Sequence, residues 1–285
     1  AIAVNKGKPL GAVGLAEHLG AAKVTLIGSV SAGRAVMRSA SATGKPVLLE
    51  LGGKNALIAY PDSDPKKIAD AIVARMNFGW CGQSCGSISR AFLYEDIHDE
   101  VISYLAESVE RYKPGVPTDP ETTIGTIVSR AQFDRVMGFI DSAKSEGARA
   151  VTGGYAVTDS PLAKGSFIAP TIFADVTPQM RIAREEIFGP VLAVRKWSDE
   201  DSMLNEVNAL ELGLPCAIWT RDLVMAHRTA ARVEAGFVWV NEVGRHFLGA
   251  PFGGVKQSGI GREVGIGELI SFTHEKNVHI NLSGQ

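Results

Sequence analysis

Short apolar runs alternate with amphipathic stretches along most of the chain. Runs of apolar and β-branched residues predict strands, at 23–27, 47–51, 56–59, 91–94, 191–197, 216–220 and 237–241. Stretches whose apolar residues recur on one helical face predict helices, at 32–42, 98–111, 132–144 and 223–232. Because strands separated by helices form largely parallel sheets covered on both faces, the pattern predicts an α/β fold.

Two further segments carry signals of their own. Asp62-Ser63-Asp64-Pro65 places a capping residue just before a first-turn proline, which predicts a helix start. The helix that follows would bury one apolar face, made of Ile68, Ala69, Ile72, Val73 and Met76. Near the chain end, residues 277–282 alternate Val278 and Ile280 with polar neighbours. This alternation predicts a strand that is available to pair with something outside the main body.

Composition and charge narrow the class of protein. With 45% hydrophobic and 21% charged residues among 285, the chain has the composition of a globular protein with one large or two moderate domains. The net charge is -2 and Lys and Arg do not cluster, which argues against nucleic acid and anionic membranes as partners. No apolar run is long enough to span a bilayer. Residues 1–6 lack the features of a signal peptide.

The chain has three cysteines, a sparse and odd set that indicates a reducing compartment, the cytoplasm, rather than a disulfide framework. Cys216 has the ordinary interpretation of a small buried residue. Cys85 differs because the small residues of Gly82-Gln83-Ser84-Cys85-Gly86 leave its sulfur uncrowded. A thiol with a pKa of about 8.5 needs help to become a thiolate, and a nearby helix N-terminus would provide it. Cys85 is therefore a candidate nucleophile, whereas Cys81 is expected to be a buried neighbour.

Glu50 ends an apolar run and is followed at once by two glycines, in Glu50-Leu51-Gly52-Gly53-Lys54. An acidic residue at a strand end is ordinarily exposed to solvent. Here the glycines allow a sharp turn, so the carboxylate is predicted to stand over open space. Desolvation there would raise its pKa toward the range of a useful general base.

A third segment, Gly28-Ser29-Val30-Ser31-Ala32-Gly33, combines a strand end, a glycine turn and a helix start. Such a turn presents backbone N–H groups to an anion. The same composition is common in plain turns, so this segment alone does not decide between the two. Nothing in the sequence predicts a metal site.

Together the three segments resemble the aldehyde dehydrogenase superfamily. Further motifs follow in the family's order and with family-like spacing, namely Glu186-Ile187-Phe188-Gly189-Pro190, Trp239-Val240-Asn241, Pro251-Phe252-Gly253-Gly254 and Ser258-Gly259-Ile260-Gly261-Arg262-Glu263. The resemblance covers essentially all 285 residues. It implies a catalytic domain with an open, mostly parallel sheet and the end of a Rossmann-like cofactor domain.

The resemblance implies a chemistry for each motif. Cys85 would attack an aldehyde carbon, and the resulting thiohemiacetal would pass a hydride to a nicotinamide and become a thioester. Glu50 would activate the water that hydrolyses the thioester, and deprotonation of Cys85 is a second candidate role for it. The backbone N–H of Cys85 would donate to the oxyanion. Glu263 resembles a second carboxylate that relays protons.

The resemblance also implies binding residues. The cofactor is expected to be NAD, with NADP left open, and its site to include Gly28, Ser29, Gly33, Leu51, Gln132, Glu186 and Phe188. Within that set, Glu186 and Phe188 would hold the nicotinamide ribose, Ser29 the pyrophosphate, and Gln132 the adenosine ribose. The substrate tunnel would be lined by His246, Phe247 and Phe252, which suits an aromatic or medium-sized apolar aldehyde. For His246, an exposed loop histidine remains the alternative.

The expected domains are residues 1–52, the end of the cofactor domain, then the catalytic domain 53–272, and a tail strand at 273–285 that resembles the family's oligomerisation element. A homodimer or homotetramer acting on a small-molecule aldehyde is therefore expected. Family members carry a longer N-terminal segment with a second oxyanion donor and cofactor contacts, so weak activity of these 285 residues alone is expected.

Two rival functions stay open at this stage. CoA-acylating relatives generally lack the base glutamate, so Glu50 argues for water rather than CoA as the acyl acceptor. A non-catalytic protein on the same fold, with residual esterase activity, is the other alternative. A smaller departure from the family is Ile27, where many members have threonine.

Overall fold

The computed structural model of the chain describes residues 11–159 and 162–284. The α-helices are α1 Gly11–Glu17, α2 Val30–Ser41, α3 Pro65–Arg75, α4 Glu95–Val109, α5 Arg130–Ser145, α6 Arg181–Arg184, α7 Glu200–Asn208, α8 Leu223–Arg232 and α9 Ile266–Ile270. The strands are β1 Val24–Ile27, β2 Val47–Glu50, β3 Asn55–Ala59, β4 Ile88–Tyr94, β5 Arg149–Thr152, β6 Thr171–Ala174, β7 Val191–Trp197, β8 Leu212–Gly213, β9 Pro215–Trp219, β10 Phe237–Val240, β11 Val255–Lys256 and β12 Gly259–Ile260.

The larger sheet has seven strands in the order β10-β9-β3-β4-β7-β6-β5. All neighbours pair in parallel except β5, which runs antiparallel to β6 at one edge. The sheet is open, since β10 and β5 form its two edges. The predicted fold class is confirmed, because helices connect these strands and cover both faces.

The central strands are buried over their whole length. Strand β3 is buried at every residue, and β4 at every residue but Tyr94. Helices α3 and α4 pack on one side of these strands with Ile68, Ile72, Val101 and Leu105, which are fully buried. Separate apolar clusters hold α5 and α7 against the sheet. Among the described residues, no helix reaches the length and apolar content needed to cross a membrane.

A second, three-stranded sheet carries the strand that ends at Glu50. Strands β1 and β2 are parallel and joined by α2, the βαβ arrangement expected for the end of a Rossmann-like domain. Strand β12 adds antiparallel to β2, with Gly259 opposite Glu50 and Ile260 opposite Leu49. The sheet therefore takes strands from both sides of residue 52, and a domain boundary there stays a prediction.

Several predicted elements agree closely with the structure, among them the strand at 191–197 and the helix at 223–232. The predicted helix start also holds, since Asp64 caps α3 by accepting from the N–H groups of Lys66 and Lys67. The first ten residues of the predicted segment 1–52 lie outside the described part.

The predicted tail strand is not present in the structure. Residues 277–282 form no strand, and Val278, Ile280 and Leu282 are 69%, 71% and 73% exposed. A strand needs a hydrogen-bonded neighbour, and no described segment of this chain pairs with the tail. The role of 273–285 in oligomerisation stays a prediction.

Candidate active site

A cavity of about 650 Å³ brings together six of the predicted site residues. They are Gly28, Ser29, Cys85, Gln132, Glu186 and Phe188. The remaining lining comes from Ile27, Ser31, Gly52, Trp80, Gln83, Ser84 and Arg135. The other predicted residues do not line this cavity, namely Gly33, Glu50, Leu51, His246, Phe247, Phe252 and Glu263. The cavity therefore brings together the Cys85 thiol, the turn before α2 and the loop that contains Glu186.

The loop that carries Cys85 is fixed by its backbone. Cys81 and Gly82 both have positive φ, 56° and 64°. A Cβ at Gly82 would collide with the carbonyl oxygen of Gly189, so this position requires glycine. The Asn55 side chain donates to the Cys85 carbonyl oxygen at 2.8 Å and also to Ser87. These contacts hold the thiol at the cavity wall.

The pKa of the Cys85 thiol is higher than that of a free cysteine. Burial raises its pKa, the negative charges of Glu50 and Glu186 raise it further, and the Arg75 guanidinium opposes them. A nearby helix N-terminus would lower this pKa, but the element that follows Cys85 is strand β4. These effects favour the neutral thiol, so a base that takes its proton would assist formation of the thiolate.

Glu50 is the candidate for that base. It is the last residue of β2, its side chain is 2% exposed, and neither carboxylate oxygen has a hydrogen-bond partner among the described residues. Burial raises its pKa to about 7, helped by Glu263 and opposed by Arg262. A carboxyl group with that pKa exchanges protons readily at neutral pH.

Segments around residues 213 and 258 hold the end of β2 in position. Ser258 Oγ donates to the Gly52 carbonyl oxygen at 2.7 Å and accepts from the Gly213 N–H at 2.9 Å. The Leu51 N–H donates to the Ser258 carbonyl oxygen at 2.8 Å. Because Ser258 is fully buried, these bonds anchor the turn that follows Glu50.

Glu263 lies next to this anchor. Its backbone exchanges two hydrogen bonds with Phe252, at 2.9 and 2.7 Å. Burial raises the pKa of its carboxyl group, and Glu268 raises it further. The charge of Glu263 is near enough to raise the pKa of Glu50. A proton-relay role for Glu263 agrees with this proximity and stays a prediction.

Ser29 and Glu186 belong to the lining of the same cavity. Ser29 is exposed and caps α2, accepting from the Ala32 N–H at 3.2 Å. The Oε1 of Glu186 accepts from the Gly53 N–H at 3.0 Å. A Cβ at Gly52 would collide with the Glu186 carboxylate, so the glycine pair is needed here for close approach.

Two α5 side chains hold the loop of Glu186 and Phe188. Gln132 Nε2 donates to the carbonyl oxygens of Ile187 and Phe188, both at 2.9 Å. Arg135 donates to the Glu186 carbonyl oxygen at 2.8 Å. The amide nitrogen of Gln132 therefore supports the loop, and its contact with a ribose stays a prediction. Arg135 was missed because one exposed arginine on a helix has no distinctive sequence signal.

Gly33 and Leu51 pack against each other. Leu51 is 5% exposed, and a Cβ at Gly33 would lie 2.6 Å from its Cδ1. We predicted both as cofactor-binding residues, but the structure buries them in the small sheet's core. Their role is to seat α2 on β2, since any larger residue at position 33 would push the helix away.

The predicted tunnel residues form an aromatic cluster. The rings of His246 and Phe252 lie 4.8 Å apart, and Phe237 contacts both at 5.7 and 5.5 Å. Phe247 is not part of this cluster and is 50% exposed. His246 is exposed at the surface and also packs against aromatic rings. It therefore fits neither prediction completely, whether as the lining of a substrate tunnel or as an exposed loop histidine. Desolvation of the packed imidazole and the nearby charge of Arg75 lower its pKa.

Iodoacetamide at limiting dose is expected to label Cys85 well before the other two cysteines. Cys81 and Cys216 are 4% and 2% exposed, and burial raises their pKa values to about 11 and 12. Cys85 faces the cavity and has a base nearby, so its thiolate is both more accessible and easier to form. Peptide mapping of the alkylated protein measures the order. Earlier labelling of Cys216 would contradict the assignment.

Comparison with known proteins adds a family context to this geometry. A family model described as the aldehyde dehydrogenase family matches residues 3–278. The aldehyde dehydrogenase tropH of Talaromyces stipitatus is 53% identical over 266 residues, which cover 92% of this chain and 52% of that protein. This chain therefore spans about half the length of that relative.

Solved structures match at similar coverage. An NAD-dependent aldehyde dehydrogenase from Sinorhizobium meliloti has a TM-score of 0.89 at 35% identity, covering 96% of this chain and 54% of that one. An NAD+ complex of aldehyde dehydrogenase from Bacillus cereus has a TM-score of 0.87 at 35% identity, with 94% and 53% covered. The fold and the motif order are thus shared over almost all of this sequence.

Proposed function

The chain belongs to the aldehyde dehydrogenase family, and from that premise we propose that it carries the catalytic residues of an NAD-dependent oxidation of aldehydes to carboxylic acids. The acid would form through a thioester on Cys85 that water hydrolyses. One observation supports this most: a buried glutamate with a pKa of about 7 stands near a cysteine at the wall of a large cavity. This combination suits acyl transfer to water.

The cavity suits a dinucleotide. Its volume of about 650 Å³ accommodates part of one, and the start of the 12-residue helix α2 points backbone N–H groups toward a pyrophosphate. The Glu186 carboxylate is suited to the hydroxyls of a ribose, and the half-exposed Phe188 ring offers a flat surface. When bound, NAD would accept the hydride from the substrate carbon. The choice between NAD and NADP rests on relatives described as NAD-dependent.

The first step belongs to the thiol and its base. Because burial and two carboxylates raise the pKa of Cys85, the thiolate forms as Glu50 takes its proton. The sulfur then attacks the aldehyde carbon, and the carbonyl oxygen becomes an oxyanion. The Cys85 N–H is a candidate donor to that oxygen. The Asn55 contact, which fixes the neighbouring carbonyl, orients this part of the loop.

The second half of the reaction needs a base again. After the thioester forms, Glu50 would take a proton from water, which then attacks the thioester carbon and releases the acid from Cys85. Both Glu50 oxygens are buried and lack partners among the described residues, so entry of a water molecule beside them is part of this proposal. Proton exit through Glu263 is part of this proposal, since its carboxyl group influences the pKa of Glu50. A base of this kind favours water over CoA as acyl acceptor.

Assembly and location are proposed on separate grounds. The exposed apolar residues Val278, Ile280 and Leu282 favour pairing of the tail with another copy, as a homodimer or homotetramer. All three cysteines are free thiols, in keeping with a reducing compartment such as the cytoplasm.

Incubation of the chain with NAD and benzaldehyde tests the proposal. We expect NADH, measured by absorbance, to appear with stoichiometric acid, and p-nitrophenyl acetate to be hydrolysed without NAD. The ester assay checks Cys85 and Glu50 independently of cofactor placement. Ester hydrolysis at the rate of an alkylated control, with no aldehyde-dependent NADH, would contradict the proposed function.

A further inference from the structure

Arg75 occupies a position that the proposed chemistry has not used. It is the last residue of α3, and its guanidinium lies in a gap between two glycines. A Cβ at Gly244 would lie 3.0 Å from its Nη1, and a Cβ at Gly86 would collide with its Nη2. Gly86 directly follows Cys85, so the guanidinium reaches the nucleophile's own loop. Its charge also lowers the pKa of Cys85, against the larger effects of burial and two carboxylates.

This guanidinium has no polar partner within residues 11–159 and 162–284. Its Nε is buried without a hydrogen bond, and burial lowers the pKa of the group with only Cys85 opposing. Other enclosed arginines of the chain are satisfied. Arg90 donates to the carbonyl oxygens of Lys54 and Val207, and Arg195 forms a bidentate pair with Glu206. Arg75 is partly buried and its buried Nε–H has no acceptor among the described residues, which is costly and indicates that an external group completes the site.

Aromatic rings adjoin the free cation. Arg75 stacks over Trp239, with its Cζ 5.1 Å from the ring centroid. Trp239 lies 5.0 Å from Phe237 and 5.8 Å from His246. Trp239 itself is buried, so a ligand at the guanidinium would meet the exposed ring of His246 and the half-buried ring of Phe237. The Cys85 thiol is near enough for its charge to influence the pKa of Arg75.

We propose that Arg75 is a specificity residue that binds an anionic oxygen, a carboxylate or a phenolate, on the ring of an aromatic aldehyde. The proposal rests on the aldehyde oxidation proposed above and names its substrate class. The planar guanidinium pairs with such oxygens through parallel N–H donors, and the exposed ring of His246 and the half-buried ring of Phe237 border the place of the aromatic body. Uncharged aldehydes would react without this contact and bind more weakly.

A pair of alkylating reagents tests the charge without any turnover. Iodoacetate and iodoacetamide both react with the Cys85 thiolate, but only iodoacetate carries a carboxylate. Arg75→Gln is expected to lower the second-order rate constant for iodoacetate, divided by that for iodoacetamide, by about tenfold or more. A merely electrostatic effect on the thiol pKa would slow both reagents equally and leave the ratio unchanged, which would overturn the proposal.

Two variants control this measurement. Arg75→Lys keeps the charge without the planar donors and should give an intermediate ratio. Arg111→Gln removes a surface arginine that also stacks on a ring, 5.4 Å from the centroid of Tyr112, and should leave the ratio unchanged. An equal fall in the ratio for Arg111→Gln would assign the effect to the overall charge of the protein and overturn the proposal.

Protection of Cys85 from alkylation tests the proposed substrate class. Benzaldehyde and 4-carboxybenzaldehyde would each slow iodoacetamide labelling of Cys85 by occupying the site. Arg75→Gln should weaken protection by the carboxylated aldehyde about 10- to 100-fold and leave benzaldehyde unchanged. Equal loss for both aldehydes would overturn the proposal. If the protein forms NADH from aldehydes but the ratio of alkylation rates is unchanged by Arg75→Gln, the role of Arg75 is refuted and the oxidation stands. If the ratio changes but no NADH forms, the oxidation is refuted and the anion site at Arg75 stands.

Discussion

Replacing Cys85 by serine is expected to lower both NADH formation and p-nitrophenyl acetate hydrolysis by roughly 10⁴-fold or more. A serine hydroxyl is a far weaker nucleophile at neutral pH, and the burial that raises the pKa of the thiol would hinder an alkoxide further. Intact mass spectrometry should show an acetylated protein with the native chain and none with the variant. Steady-state rates of both reactions measure the loss.

Cys81→Ser is the matched control for this substitution. Cys81 lies four residues earlier and donates from Sγ to the Gly125 carbonyl oxygen at 3.2 Å, a bond that a serine hydroxyl can keep. The control should retain activity within a few-fold, since its side chain faces away from the cavity lining. If Cys85→Ser kept the native rate and Cys81→Ser lost it, the nucleophile would be assigned to the wrong cysteine.

The sequence was sufficient to predict those parts of the site that follow from local pattern. Cys85, Ser29 and Glu186 lie in motifs that reach the cavity because each lies in a segment that connects regular elements. The strand predicted at 91–94, shortly after Cys85, is confirmed as part of β4.

Long-range contacts account for what the sequence did not reveal. Gln132 supports the loop around residue 187, 55 positions away, rather than facing outward. Arg75 has the ordinary appearance of a basic residue in the last turn of a helix, which the helix dipole alone would explain. Only the folded arrangement shows that its guanidinium has no polar partner among the described residues and lies near Cys85. The tail alternation at 277–282 predicted a strand, but a strand depends on a neighbour, and no described segment pairs with the tail.

Glu50→Gln should separate the two halves of the reaction. Its glutamine amide cannot take a proton from water, so hydrolysis of the thioester is expected to slow by about 10²–10⁴-fold. Thioester formation should slow less, because other bases and solvent can deprotonate Cys85. An acyl-enzyme should then accumulate, visible by mass spectrometry after a burst of p-nitrophenol or NADH. A variant with the native steady-state rate and no trapped adduct would refute the role of Glu50.

The same variant makes a prediction about pH. In the native protein the rate of deacylation should rise with an apparent pKa near 7, because Glu50 acts as a base only when ionised. The Glu50→Gln variant should lose this ionisation from its pH profile. Glu263→Gln is the useful comparison, since it removes one of the charges that raise the pKa of Glu50. Its profile should shift toward lower pH and keep the same form.

As the pH rises, the free energy of unfolding should fall, whereas the rate of deacylation should rise. The pKa of Glu50 is about 7 in the folded protein against 4.5 for the free group, so the folded state binds more protons between these values. Its stability must therefore fall as pH rises through that window, because an ionised carboxylate is buried without a partner. Glu50→Gln removes this cost and should be more stable than the native protein at pH 8, by about 1–3 kcal/mol. At pH 4 the difference should vanish, and urea unfolding at both pH values measures it. A variant that is less stable at pH 8 would mean that the carboxylate is stabilised by contacts rather than held ready as a base.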